Sequence, residues 1–175
     1  VHHNPDSWEG WYWGAVHHWG YSLRVGQSET YGTVEDCLQN CDMIVFWSAD
    51  PETTSGSYGA QEGTVRRQWL KNPDLGIKVV HIDPYFNASA QFLPGKWLAP
   101  KPTTSVAMAM AIAYVWIQEG LYDKDYVATH TIGFDKWKAY LVGDEDGVAK
   151  TPEWQEAETG VPAKDIRALA REWGS

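Results

Sequence analysis

Two cysteines in 175 residues exclude a disulfide-stapled scaffold and are too few for a four-cysteine metal site. Basic residues are also scarce. Fourteen Lys and Arg stand against 23 Asp and Glu, the net charge is −9, and residues 1–64 hold a single basic residue, Arg24. Such a surface repels phosphate backbones, so no nucleic-acid partner is expected. An anionic ligand would rely on backbone N–H groups, hydroxyls or basic groups farther along the chain. The longest uncharged helical stretch, Val106 to Ile117, falls short of the ~18 residues a membrane span needs, so no membrane partner is expected. No charged region leads into an apolar one, so no secretory leader is expected. Neither G-x-G-x-x-G nor a Walker A loop is present, which removes the usual dinucleotide and nucleotide cradles. There is no internal repeat.

Aromatic residues are abundant instead. The chain has 11 Trp and nine Tyr within a hydrophobic content of 43%, enough for one ordinary domain with a real core. Residues 1–32 mix Trp, Tyr, His and Gly without a period of 2 or 3.6, and read as loop and short helix. This segment either packs plainly on other protein or lines a cavity suited to a flat aromatic ligand.

The most regular features are two apolar runs, Met43 to Ser48 and Ile77 to Ile82, closed by Asp50-Pro51 and Asp83-Pro84. Val- and Ile-rich runs of this length read as strands buried on both faces, and proline lacks the N–H to continue them. Helices are expected over Thr33–Cys41 and Glu62–Lys71. The first would place Cys37 and Cys41 on a buried stripe rather than in a metal pair. The second completes a strand–helix–strand unit of a parallel sheet. Residues 52–57 read as a hydroxyl-rich loop, and 85–102 as irregular with a short extended piece near Trp97-Leu98. A helix capped by Thr103-Thr104-Ser105 runs to Glu119 and stops at Gly120; its Val106–Ala113 portion, apolar on all sides, is expected to be buried. Shorter helices are expected near 123–130 and 134–141, then a solvated acidic turn at 143–147. Another starts at Thr151-Pro152-Glu153, and the last near Pro162 buries Ile166, Leu169, Ala170 and Trp173.

Each Asp-Pro lies at the carboxyl end of a strand, where open parallel sheets bind ligands. Asp50 and Asp83 could accept bonds from ribose hydroxyls or a guanine edge, or could be plain turns. Thr53, Thr54, Thr103, Thr104 and Ser105 could bond phosphate oxygens, helped by the dipole of the following helix. Ser7 could be a nucleophile but lacks a G-x-S-x-G elbow. His2, His3, His17 and His18 with Asp6 have weak ligand spacing, and Asp6 with Glu9 is an unsupported glycosidase pair. Asn87-Ala88-Ser89 matches a glycosylation pattern that arises often by chance. A carbohydrate binder or a non-catalytic nucleotide module would also suit these features.

Taken in order, several stretches resemble the dimethyl sulfoxide reductase family of molybdenum enzymes. They are Val45–Ser55, Val79–Pro84, Pro100–Met108, Gly120–Val127, Thr151–Trp154, Thr159–Ala163 and Ile166–Glu172. The resemblance implies an α/β fold, a three-layer Rossmann-like parallel sheet with flanking helices, forming one domain of a larger cytoplasmic bacterial enzyme. It implies molybdenum held by two molybdopterin guanine dinucleotides. Residues 33–175 would bind the dinucleotide through Trp47, Ser48, Asp50, Pro51, Thr53, Thr54, Asp83, Pro84, Tyr85, Thr103, Thr104 and Ser105. Residues 1–32 would be an active-site segment, with Ser7 as the metal ligand, Asp6 as acid/base and Trp8 walling the site. The aromatic start is most similar to members that move hydroxyl groups between polyhydroxybenzenes, from pyrogallol to phloroglucinol, alongside a small iron–sulfur subunit carrying [4Fe–4S] clusters. Sulfoxide or N-oxide reduction is the neighbouring alternative. Two positions depart from the family pattern: Ser105 stands where Asp often follows the Thr, and Ala90-Gln91 lacks the carboxylate of an Ala-Asp pair.

Overall fold

The computed structural model describes residues 16–17, 39–54 and 73–174. The chain divides into two compact units, Val1–Gln39 and Asn40–Ser175, and the elements below belong to the second. Cys41 is half-buried. Cys37, most of the expected helix 33–41 and all of the expected helix 62–71 lie outside the described residues.

Three parallel strands form one sheet in the order β1 (Met43–Trp47), β2 (Lys78–Ile82) and β3 (Lys96–Leu98). Trp47 pairs with Ile82, and Ile82 with Leu98, so the three carboxyl ends are level. β2 buries both faces, as its unbroken apolar run requires. Val80 and Ile82 join one cluster with Leu98, Met108, Ile112 and Ile166. Val79 packs with Phe46 and Leu93 in another. His81 faces that second cluster, stacked on Phe46 at 5.3 Å, with Nε2 bonded to the Leu93 carbonyl at 2.9 Å.

Two stretches are more ordered than the sequence suggests. Pro51–Thr54 is a helical turn, α1, not a loop; proline suits the first helical position because the missing N–H is not needed there. Residues 85–102 contain α2 (Ala88–Phe92) as well as β3. Asn87 caps α2 by accepting from the Ala90 N–H at 2.9 Å.

The helix α3 (Ser105–Glu119) ends at Gly120 in the left-handed conformation. It buries Met108, Ala111, Ile112 and Val115, a stripe at helical spacing, and Ala113 off that stripe. Its apolar run is not enclosed on all sides. Val106 is 64% exposed and Ala109 is exposed too.

Four helices follow: α4 (Lys124–His130), α5 (Phe134–Val142), α6 (Pro152–Thr159) and α7 (Ala163–Trp173). Ile166, Leu169 and Ala170 are buried as expected. Trp173 is 40% exposed, set edge-on to Trp116 at 5.4 Å. The acidic turn is not merely solvated. Asp146 accepts from Lys150 at 2.5 Å, and Lys150 is 2% exposed with its ammonium 4.2 Å from the centre of the Tyr140 ring. Burying an ammonium group is costly unless it is paired. Buried Gln155 similarly donates to the carbonyls of Pro152 and Val161 and accepts from Thr159. Among the described residues no helix is long and apolar enough to cross a membrane.

β3 can approach β2 only because residue 95 is glycine. A Cβ there would lie 2.3 Å from the Val79 carbonyl oxygen, a backbone atom with no freedom to retreat. Gly95→Ala should therefore destabilise the fold by about 1–3 kcal/mol, the usual range for overpacking. Denaturant unfolding of the full chain checks this; an unchanged midpoint would contradict it.

Candidate functional site

The level carboxyl ends of the three strands set the geometry. The Ser48 N–H donates to the Ile82 carbonyl at 2.7 Å, and the Asp83 N–H to that of Leu98 at 3.1 Å. Asp50 and Asp83 then leave the sheet edge side by side, and the start of α2 ties them together. Asp50 Oδ1 accepts from the Ser89 hydroxyl at 2.6 Å and the Ser89 N–H at 3.0 Å. Its Oδ2 accepts from the Thr53 hydroxyl at 2.9 Å. Asp83 Oδ1 accepts from the Tyr85 N–H at 2.8 Å, and Oδ2 from the Asn87 side chain at 3.1 Å. That same amide nitrogen reaches the Ala49 carbonyl at 3.4 Å. Trp97 donates its indole N–H to the Asp83 carbonyl at 2.8 Å, and its ring meets Phe86 edge-on at 5.1 Å.

Burial raises the Asp50 pKa, but the bonds from Ser89 and Thr53 outweigh it and hold the carboxyl below the usual carboxylate range. Charge-assisted bonds of this kind stabilise more than neutral ones.

Backbone strain marks the same edge. Among the described residues only Ser48 (φ 49°) and Thr103 (φ 70°) are non-glycine with positive φ. Each such residue costs on the order of 1–2 kcal/mol, and strain of this kind concentrates at functional positions. Both side chains are exposed. Thr104 is the N-cap residue of α3 but makes no side-chain cap bond; its hydroxyl donates to the Lys101 carbonyl at 2.7 Å. The Lys101 N–H is anchored to Thr159 at 2.9 Å.

The structure thus links Asp50, Thr53 and Asp83 through Asn87 and Ser89. The bonds of Thr104 run to Lys101 instead. Pro51 opens α1, Pro84 and Tyr85 are exposed, Ser105 begins α3, and Trp47 is half-buried with its ring 6.4 Å from that of Trp173. Asp6, Ser7 and Trp8 and the side chain of Thr54 lie outside the described residues. Sequence reasoning missed Asn87, Ser89 and Trp97. Asn87 carried a signal, since Asn before a short apolar run is a capping residue. It is 3% exposed with both ends of its amide bonded, which excludes it as a glycosylation acceptor in this fold. Among the described residues no group of three metal-ligating side chains gathers.

Chemically, this edge suits a ligand with hydroxyl, amine and phosphate groups. Ser48 and Thr103 offer hydroxyls, Asp83 offers lone pairs, and Lys101 offers a cation two residues before Thr103.

The lowered Asp50 pKa has a pH consequence. Its stabilisation is fully present above the unfolded carboxylate pKa of ~3.9. It is lost as pH falls through the lower folded value. Asp50→Asn should remove that part of the acid dependence, so the stability difference between the two proteins should shrink toward low pH. Ser89→Ala should cost about 1.5–3 kcal/mol, the range for a bond to a charged group. Urea midpoints measured from pH 7 to 3 test both; a difference that stays constant with pH would refute the assignment to Asp50.

Comparison with known proteins gives a consistent answer. The model of the molybdopterin oxidoreductase family matches residues 14–164. The large subunit of pyrogallol hydroxytransferase from Pelobacter acidigallici is 54% identical over 171 residues, covering 98% of this chain and 19% of its own length. The dimethyl sulfoxide/trimethylamine N-oxide reductase of Rhodobacter capsulatus is 40% identical over 156 residues, covering 86% of this chain and 18% of its own. In structure the chain is similar to acetylene hydratase from Pelobacter acetylenicus, with a TM-score of 0.58 and 23% identity. That match covers 76% of this chain and 16% of the other, a likeness of fold. The chain spans about a fifth of the length of the curated relatives it matches. With its family model matched over most of its length, this chain belongs to the molybdopterin oxidoreductase family.

Proposed function

We propose that this chain is the part of a catalytic large subunit that grips the nucleotide tail of a molybdenum cofactor, in an enzyme that transfers hydroxyl groups between polyhydroxybenzenes. The 54% identity to a pyrogallol hydroxytransferase large subunit across 98% of the chain carries this reading. The cofactor proposed is molybdenum with two molybdopterin guanine dinucleotides. Residues 33–175 form the nucleotide-binding domain, read as three-layer and Rossmann-like, and 1–32 the active-site segment. A small subunit carrying [4Fe–4S] clusters completes the enzyme.

The donors at the sheet edge fit such a tail. Ser48 and Thr103 can donate to phosphate oxygens, Thr104 next to Thr103 holds the turn through its bond to Lys101, and Asp83 can accept from a guanine amine. Tyr85, 69% exposed beside Asp83, offers a ring face. Asp50, Pro51 and Thr53 shape the edge, and Trp47, Thr54, Pro84 and Ser105 border it. When bound, the cofactor supplies oxygen-transfer chemistry. Ser7 would hold the metal through a hard, deprotonated oxygen. Asp6 would take and return the proton of a phenolic hydroxyl, and Trp8 would wall the substrate from water.

A second reading, sulfoxide or N-oxide reduction, draws on the 40% identical relative. The density of Trp and Tyr in residues 1–32 favours a planar phenol. A nucleotide-binding module without catalysis is the remaining alternative.

The isolated full-length large subunit should contain molybdenum and guanine nucleotide; finding neither would end the proposal. It should turn over pyrogallol and not dimethyl sulfoxide, and the reverse result would favour the reductase. Ser7→Ala should change the metal's absorption spectrum, and an identical spectrum would remove Ser7 as a ligand. Ser48→Gly and Thr103→Gly separate binding from folding. Relief of ~1–2 kcal/mol of left-handed strain is offset by ~0.4–1 kcal/mol of added unfolded-state entropy. Their unfolding midpoints should hardly move, while bound guanine nucleotide per subunit falls. Full nucleotide retention would show that these hydroxyls do not hold it.

A further inference from the structure

The helical hairpin of α4 and α5 is unfinished within this chain. Although α4 includes Tyr126 and Val127, it contributes no buried residue, and α5 buries only Leu141. The turn between them carries Ile132 at 104% exposure, flanked by Tyr126 at 56% and Trp137 at 44%. Turns favour Gly, Pro, Asn and Asp, and a contiguous exposed apolar patch marks an interaction surface. A groove of about 620 Å³ opens between the helices, lined by Tyr122, Val127, Ala128 and Phe134 together with Lys124, Lys136 and Asp135. The rings of Tyr122 and Phe134 are 5.4 Å apart and form an aromatic wall.

The pyrogallol hydroxytransferase large subunit matches this chain over 19% of its length, leaving about four fifths of such a polypeptide outside it. A segment on the same polypeptide meets the groove at high effective concentration, an advantage that a separate subunit lacks. Lys124 and Lys136 have no carboxylate partner among the described residues, and against the one acid of the lining, Asp135, they leave the groove net positive, so charge complementarity favours an acidic neighbour.

We propose that the α4–α5 groove seats a segment of the same large-subunit polypeptide from outside these 175 residues. That segment packs an apolar side chain against the Tyr122–Phe134 wall, covers Ile132 at the turn, and pairs a carboxylate with Lys124 or Lys136. The inference rests on the chain being part of a larger subunit, and is independent of the substrate.

The test uses the full-length enzyme with a cysteine introduced by Ile132→Cys, and a control introduced by Glu145→Cys in the exposed acidic turn. Ile132 makes no packing contact to lose, so the fold should tolerate the change. Maleimide should label position 132 at least tenfold more slowly than 145 in the native enzyme, and equally fast after denaturation. Equal native rates overturn the proposal. A photo-crosslinking residue at 132 should then link to a peptide of the same subunit outside residues 1–175. Links to the small subunit, to a second copy, or only within these residues overturn it. Labelling is read whether or not molybdenum is loaded, so failure of the catalytic reading would leave this result standing.

Discussion

The Asp50 carboxylate is the tie on which the carboxyl edge of the sheet depends. It ends the loop from β1, caps α1 through Thr53, and accepts both the hydroxyl and the N–H of Ser89 at the start of α2. The Ser89 hydroxyl in turn accepts from the Glu52 N–H at 3.2 Å. Because α2 follows β2, this one anion fastens the ends of two neighbouring strands. Asn87 adds the second fastening, bridging Ala49 and Asp83. Parallel strands supply no such connection themselves, since their links run far away around the sheet. The loops at the carboxyl edge would otherwise be free to part.

This bonding divides labour between two aspartates that look alike in sequence. A carboxylate has about four lone-pair sites. Asp50 already directs three of them at Ser89 and Thr53, and those bonds hold its pKa down. It is best understood as a positioning residue. Asp83 accepts one bond on each oxygen, so capacity remains on both. If one of the pair meets a guanine edge, hydrogen-bond capacity selects Asp83. Trp97, bonded to the Asp83 carbonyl and packed against Phe86, stiffens the backbone that presents it.

The strands were legible because a parallel strand buried on both faces needs an unbroken apolar run, and Asp-Pro stops it. The start at Thr151 and the stop at Gly120 were legible for local reasons: each rests on one side chain or one left-handed glycine. The short helices α1 and α2 were not legible. Four or five residues give no periodicity, and their helical state depends on contacts such as Asp50 with Ser89, 39 positions apart. Burial around α3 was misjudged because the run looks apolar on every side, while Val106 and Ala109 remain exposed. Trp173 fell short of burial for a related reason, since it closes against Trp116 at a rim. The strain at Ser48 and Thr103 has no sequence signature, because neither residue type prefers positive φ.

Net charge bears on the proposed grip of a nucleotide tail. A chain of −9 opposes a phosphate-bearing tail at long range, but screening confines that opposition to roughly 8–10 Å at physiological salt. Within that distance the local field decides. The first turn of α3 has N–H groups without intrahelical acceptors, backed by a helix dipole worth about half a charge. Lys101 lies just ahead of it, held by Thr159 and followed by the strained Thr103. Strain at Thr103 keeps the chain turned tightly between β3 and α3, so its hydroxyl and that first turn remain close in sequence and exposed together. A fold that is acidic overall can thus hold an anion at one edge, provided the groups there are set before the ligand arrives. Setting them is the work of Asp50, Ser89 and Asn87 at one end of that edge, and of strained backbone at both.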